Sequence, residues 1–245
     1  MTLTRKIYSC NLVTDFLDYL LHDSERETTL VVCSSRERFL EQLYAAIHLS
    51  QPDHGAEEPH EQADGDVSSQ GFPDISLSKY QRLLTKTIGL LGRSRRVKLV
   101  FCQTVETLRA YISVLPVVWA KHAPASGEQQ VRQPLLAVLN LLELHRLSSE
   151  FSAQGLSRTL ATMVEMAASV GSDLLLCECR DATGVSGIDS GQRLWFGNVP
   201  ILSSAIRIGG DDGAWSGHGV PVIRVVQRWF EFDDHCPALQ ATTNS

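Results

Sequence analysis

TTLVVCSSRERFLEQL, residues 28–43, decides how this chain folds. Thr29–Cys33 is a short run of apolar and β-branched residues, the pattern of a buried strand. It passes without a turn into a segment where Phe39, Leu40, Leu43 and Ile47 recur at helical spacing, so a helix is predicted over Ser35–Leu49. A strand feeding directly into a helix is where nucleotide-binding α/β proteins carry a phosphate loop. A working loop reads G-x-x-x-x-G-K-[ST]: glycines let backbone N–H groups surround the phosphates, lysine reaches the β and γ oxygens, and serine or threonine holds magnesium. Here the positions after Cys33 are Ser34, Ser35, Arg36, Glu37 and Arg38, with neither glycine nor lysine, and no G-K-[ST] occurs elsewhere. Ser34 followed three residues later by Glu37 fits a capping box instead, which satisfies backbone donors at a helix start.

Outward from this junction the same alternation repeats. A short helix is predicted over Asp15–Leu21, then helix Leu77–Leu91, strand Val97–Cys102, helix Val105–Leu115, strand Leu135–Leu142, helix Leu156–Val170 and strand Leu174–Cys179. Strands alternating with helices imply a parallel sheet covered on both faces, because parallel neighbours need crossover connections. Trp195–Ile208 and Gly219–Phe232 then read as consecutive strands joined through a Gly- and Asp-rich turn, an antiparallel ribbon closing the sheet. The segment 51–72 is polar and rich in Pro and Gly, and carries Asp53, Glu57, Glu58, Glu61, Asp64 and Asp66 with no Lys or Arg. Such a composition buries too little apolar surface to fold, so it is expected as a disordered acidic insertion. The expected organisation is an N-terminal helical segment 1–27, a main α/β domain 28–236 and a flexible tail 237–245.

The chain has 245 residues, 43% hydrophobic and 20% charged, enough for a sizeable core. Its longest apolar runs are far shorter than the roughly 20 residues of a membrane span, so no membrane association is expected. The N-terminus lacks an uninterrupted signal-peptide core, and an intracellular protein is expected. The net charge of −6 resides in the insertion; without its six acids, 22 basic and 22 acidic residues remain. Low overall charge therefore does not argue against a local nucleic-acid face. Six cysteines are scattered at Cys10, Cys33, Cys102, Cys177, Cys179 and Cys236, as reduced intracellular thiols are. Cys177 and Cys179 share a strand face, but without a C-x-x-C partner or H-x-x-x-H the pair reads as core packing, and no metal site is expected.

Magnesium in a nucleotide site is organised by an Asp at the end of a central strand. The corresponding run, QPLLAVLNLLELHRL, offers Asn140 or Glu143 there. Asn140 is a weak magnesium ligand, and a lone Glu after an apolar strand is more often exposed or capping. Ser34, Ser35, Arg36, Asn140 and Glu143 thus mark a degenerate nucleotide site. With loop and aspartate both lost, neither hydrolysis nor a bound cofactor is expected. His145, Ser152, Ser157 and His218 form no recognisable nucleophile set, and no G-x-S-x-G occurs.

The order of strand, degenerate loop and helix, then VKLVFCQTVETLRAYIS (97–113), PLLAVLNLLELHR (134–146), SSEFSAQGLSRTLATMVEMAASVGSDLLLCE (148–178) and VPVIRVVQRWFEF (220–232), resembles the ATPase core of RecA-type recombinases. Members lacking the phosphate loop are most similar: the small recombinase paralogues of Shu type and, as a second choice, the RecA-like subunits of Elongator. The first resemblance implies a non-catalytic pseudo-ATPase in the nucleus. It would bind a RecA-like paralogue in a hetero-oligomer, contact single-stranded or forked DNA, and support recombinase filament assembly in homologous recombination and DNA repair. The second implies a cytoplasmic scaffold binding tRNA for wobble-uridine modification.

Two surfaces are candidates for such contacts. Lys79, Arg82 and Lys86 are spaced by three and four and share a helical face, and the following loop adds Arg93, Arg95, Arg96 and Lys98. Seven bases without an acid among them could neutralise several phosphates and release their counterions. The bland alternative is a solvated face paired with the acidic insertion upstream. Trp195, Phe196, Trp215, Arg228 and Trp229 near the ribbon suggest a partner interface, since tryptophan and arginine are enriched at interface centres; the alternative is a ribbon packed on its own core.

Overall fold

The computed structural model of the chain describes residues 3–22, 26–49, 84, 87–122, 133–185, 190–202 and 219–232. The acidic insertion and the tail lie outside the described residues. β1 (Arg5–Tyr8), β2 (Thr28–Val32), β3 (Val97–Phe101), β4 (Leu135–Leu139), β5 (Asp173–Cys177) and β8 (Glu231–Phe232) form one six-stranded sheet in the order β3-β2-β4-β5-β1-β8. Every pairing in it is parallel. A two-stranded antiparallel pair, β6 (Asn198–Val199) with β7 (Val220–Pro221), stands beside it.

The apolar runs of β2, β4 and β5 are buried at every position, as strands covered on both faces must be. Alternate side chains divide between two cores. On one face Leu30, Val32, Leu135, Ala137, Leu139 and Leu175 meet α1 (Val13–His22) and α2 (Arg36–Leu49) through Phe16, Leu20, Phe39 and Ala46. On the other, Val31, Leu136, Val138, Leu174 and Leu176 meet α4 (Val105–His122), α6 (Ala153–Val170) and α7 (Val222–Val226) through Leu108, Ile112, Leu160, Met163 and Val225. α3 (Ile88–Ser94) precedes β3, and α5 (Leu141–Arg146) follows β4. The ends of α6 show how sequence sets the limits of an element: Ser152 caps it by accepting from the Gly155 N–H, and Gly171, in the left-handed region at φ 68, ends it.

Three expectations change. The segment 1–27 is not a separate helical piece, because β1 inserts between β5 and β8 and α1 packs on the same sheet. Only Ile7 of Arg-Lys-Ile-Tyr is buried, so the strand carries too weak a pattern to be read. Leu141 and Leu142 begin a helix rather than prolonging β4, both apolar but facing the core from α5. Among the described residues the terminal ribbon is the β6–β7 pair, the expected strand positions 203–208 lying outside them: Gly191–Phe196 is a 3-10 turn, Val222–Val226 is helical, and Glu231–Phe232 joins the parallel sheet beside β1. Val-Ile-Arg-Val-Val has strand propensity, but burying Val222, Val225 and Val226 together requires helical spacing.

Candidate functional site

Asn140, His145, Glu178 and Asp181 are buried polar residues just beyond the carboxyl ends of β4 and β5. β2 and β4 are neighbours whose outgoing connections cover opposite faces of the sheet, the topology that opens a crevice in α/β folds. Of the residues expected to mark a degenerate nucleotide site, Ser34, Ser35 and Arg36 follow β2 while Asn140 and Glu143 follow β4, at adjacent strand ends. Ser35, not Ser34, caps α2: its Oγ accepts from the Arg38 N–H at 3.2 Å, while the Ser34 hydroxyl donates to the Ser35 carbonyl. The Glu37 carboxyl is held below its usual range, chiefly by its own backbone N–H and then by Ser35. Arg36 is exposed, and Arg38 lies 3.9 Å from Glu143 and 3.8 Å from Asp181. Glu143 also accepts two bonds from the Arg146 guanidinium, at 3.0 and 2.9 Å.

Asn140 is committed to the backbone. It adopts φ 61, its N–H donates to the Cys177 carbonyl at 2.8 Å, and its Oδ1 accepts from the Cys179 N–H at 2.9 Å. It clips the exit of β4 to that of β5. Between those two cysteines Glu178 is buried, and its Oε1 accepts from the Leu142 N–H at 2.6 Å. Burial pushes its carboxyl up to about 8. Behind it, His145 Nε2 meets Thr159 Oγ1 at 3.0 Å; Arg109 donates to the same oxygen and to the Gly155 carbonyl, and pairs with Glu150 at 2.6 Å. Burial, then the Arg109 charge, lower His145 to about 4. A neutral imidazole and a largely protonated carboxyl thus sit inside the fold, short of solvent.

β1 and β5 are neighbouring parallel strands, and the residues just beyond both, Cys10 and Cys179, pack in the same core. Outside it lies a cleft of about 660 Å³ lined by Cys10, Asn11, Arg180, Gly184, Ser190, Gln192 and Arg193. Its walls are tied together: Gln192 Nε2 donates to the Cys10 carbonyl at 2.8 Å and the Arg180 N–H to the Asn11 carbonyl at 2.8 Å. Gly191, at φ 66, lets the loop lie against the β5 exit, where a Cβ would come within 2.7 Å of the Arg180 nitrogen. Beneath this wall Cys10, Cys177 and Cys179 converge, with sulfur separations of 3.2, 3.4 and 3.6 Å. Among the described residues this is the group able to offer three ligand atoms to one metal ion. The sequence showed the C-x-C pair but not Cys10, because β1, which brings it alongside, was not legible.

Of the candidate nucleic-acid residues, Lys79, Arg82 and Lys86 lie outside the described residues. Arg93, Arg95, Arg96 and Lys98 are exposed around the α3–β3 turn at the edge of the sheet. Ile88, Leu91 and Leu99 are exposed beside them, so this edge is both basic and apolar. Trp195 is not available to a partner: it is 1% exposed and packs edge-on against Phe232 at 5.7 Å. Phe196 and Arg228 are exposed, Trp229 is half-buried, and Trp215 lies outside the described residues. No helix of the described residues is long and apolar enough to cross a membrane.

The sequence matches the SPAC22G7.03-like family over residues 4–190. A search of curated proteins finds no match. A solved structure described as "ATPase" is 15% identical, with a TM-score of 0.22; the alignment covers 85% of this chain and 64% of that one.

Proposed function

The chain belongs to the SPAC22G7.03-like family; we propose that it is a non-catalytic, RecA-like subunit of a recombination-mediator complex. In this reading it binds a paralogue, presents a basic edge to DNA and helps a recombinase filament assemble, acting by stoichiometry and not by turnover. The observation that carries it is the state of the β2–β4 crevice. Ser35 is spent on the α2 cap, Asn140 on the β5 clip, and Glu143 on Arg146, so the positions that would cradle phosphate and magnesium are filled by the chain's own bonds. The exposed bases and apolar side chains at β3 support the contact with nucleic acid and partner.

The test is affinity purification of the tagged protein from its native cell, with mass spectrometry of its companions, followed by assay of the intact complex. Recovery of a recombinase paralogue, DNA binding and faster filament loading are expected, with no rise in melting temperature on adding magnesium and ATP. A complex that neither binds DNA nor alters loading overturns the reading. Recovery of Elongator subunits with tRNA replaces it by the scaffold alternative, and saturable ATP hydrolysis replaces it by an enzyme.

A further inference from the structure

We propose that Cys10, Cys177 and Cys179 form a three-thiolate site for a zinc ion, with the fourth coordination position facing the cleft between β1 and β5. The three sulfurs form a nearly equilateral triangle of 3.2, 3.4 and 3.6 Å. These separations are far beyond the roughly 2.05 Å of a disulfide. Tetrahedral zinc with Zn–S of about 2.3 Å sets its sulfurs roughly 3.8 Å apart, so loading requires each to move outward by only a few tenths of an ångström.

The arrangement follows from strand geometry. Residues two apart on an extended segment face the same way, which puts Cys177 and Cys179 on one side of the β5 exit. The parallel register pairs Tyr8 with Cys177, and the chain leaving β1 brings Cys10 over that same side. The ligand backbones are held by bonds already described: Asn140 to the Cys179 N–H, Gln192 to the Cys10 carbonyl, and the neighbouring Asn11 carbonyl to the Arg180 N–H. Such supporting bonds orient ligands before a metal arrives. Cys33 and Cys102 are equally buried yet belong to no group of three among the described residues.

Charge and softness select the ion. Thiolates disfavour calcium and magnesium, which take oxygen ligands, and favour zinc or copper(I). Three thiolates with zinc leave a single negative charge, and the Arg180 and Arg193 side chains line the adjoining cleft, where they can balance it. Zinc is held by thiolates, so binding must release protons as it forms the site. Cys10 borders the cleft, so an exchangeable ligand from that side completes the tetrahedron.

The experiment titrates the reduced full-length protein with cobalt(II) as a spectroscopic stand-in, then displaces it with zinc. One equivalent is expected, with thiolate-to-cobalt charge-transfer absorption and the intense visible bands of a tetrahedral site, both erased by zinc. Cys179→Ser and Cys10→Ala should each weaken binding by roughly 10–100-fold or more, while Cys102→Ala leaves it unchanged. The Cys10 variant keeps the test valid if Cys179→Ser fails to fold, and zinc should raise the melting temperature of the wild type but not of that variant. Folded, reduced protein that takes up no cobalt or zinc, equal loss from Cys102→Ala, or binding of copper(I) alone would each overturn the proposal.

Discussion

Asn140 holds a left-handed backbone and bridges two strand exits, and both properties have a measurable cost when removed. Asn140→Ala strands the Cys179 N–H and places a Cβ-bearing residue without a polar side chain at positive φ, so a loss of about 2–3 kcal/mol is expected in chemical denaturation. Asn140→Gly, which keeps the backbone freedom, should lose less. Two buried titrating groups contribute opposing slopes to the pH response. Glu178 titrates near 8 in the folded protein against 4.5 in the free group, so the folded state holds the extra proton between those values and stability falls as pH rises through them. His145 titrates near 4 against 6.5, so the unfolded state holds the extra proton there and stability falls as pH drops. Together they give a plateau between pH 4.5 and 6.5, with declines outside it. Glu178→Gln keeps an acceptor for Leu142 and should flatten the fall in melting temperature between pH 6.5 and 8; an unchanged slope would show that Glu178 is not its source.

At the scale of an element, the start of α2 shows how finely sequence can be read. Ser34 followed by Glu37 reads as a capping box, but the backbone turns one residue later and Ser35 receives the Arg38 N–H. Ser35→Ala should therefore cost about 1 kcal/mol in denaturation and Ser34→Ala less than about 0.5 kcal/mol. Gly191 is the second test. Its φ is 66, and a methyl group added there would approach the Arg180 nitrogen to 2.7 Å, so Gly191→Ala must shift the cleft wall. A loss of about 2 kcal/mol or more is expected, read from the denaturation midpoint. The long helices α2, α4 and α6 were legible because each has apolar residues at helical spacing over three or more turns. α5 and α7, of six and five residues, are too short for a period to emerge from their leucines and valines.

For the whole molecule, the exposed edge at β3 is where the proposed partners would meet the fold. Arg95→Glu with Arg96→Glu should lower DNA affinity of the complex at least tenfold at moderate salt and reduce the salt slope by about 2, while Leu99→Lys should weaken partner recovery without lowering thermal stability, since Leu99 is half exposed. Loss of folding in either variant would instead assign those residues to the core. The sequence by itself determined the α/β class, the parallel sheet and the absence of a phosphate loop, because uninterrupted apolar strands alternating with amphipathic helices, and the missing Gly and Lys, are local facts of the chain. Only the tertiary structure decided that β1 enters the sheet, that Trp195 is core, and that Cys10 joins Cys177 and Cys179 across 167 positions of sequence. Such pairings depend on strand order and on which face each connection covers, and these are fixed by burying both sheet faces at once, not by any short stretch of residues.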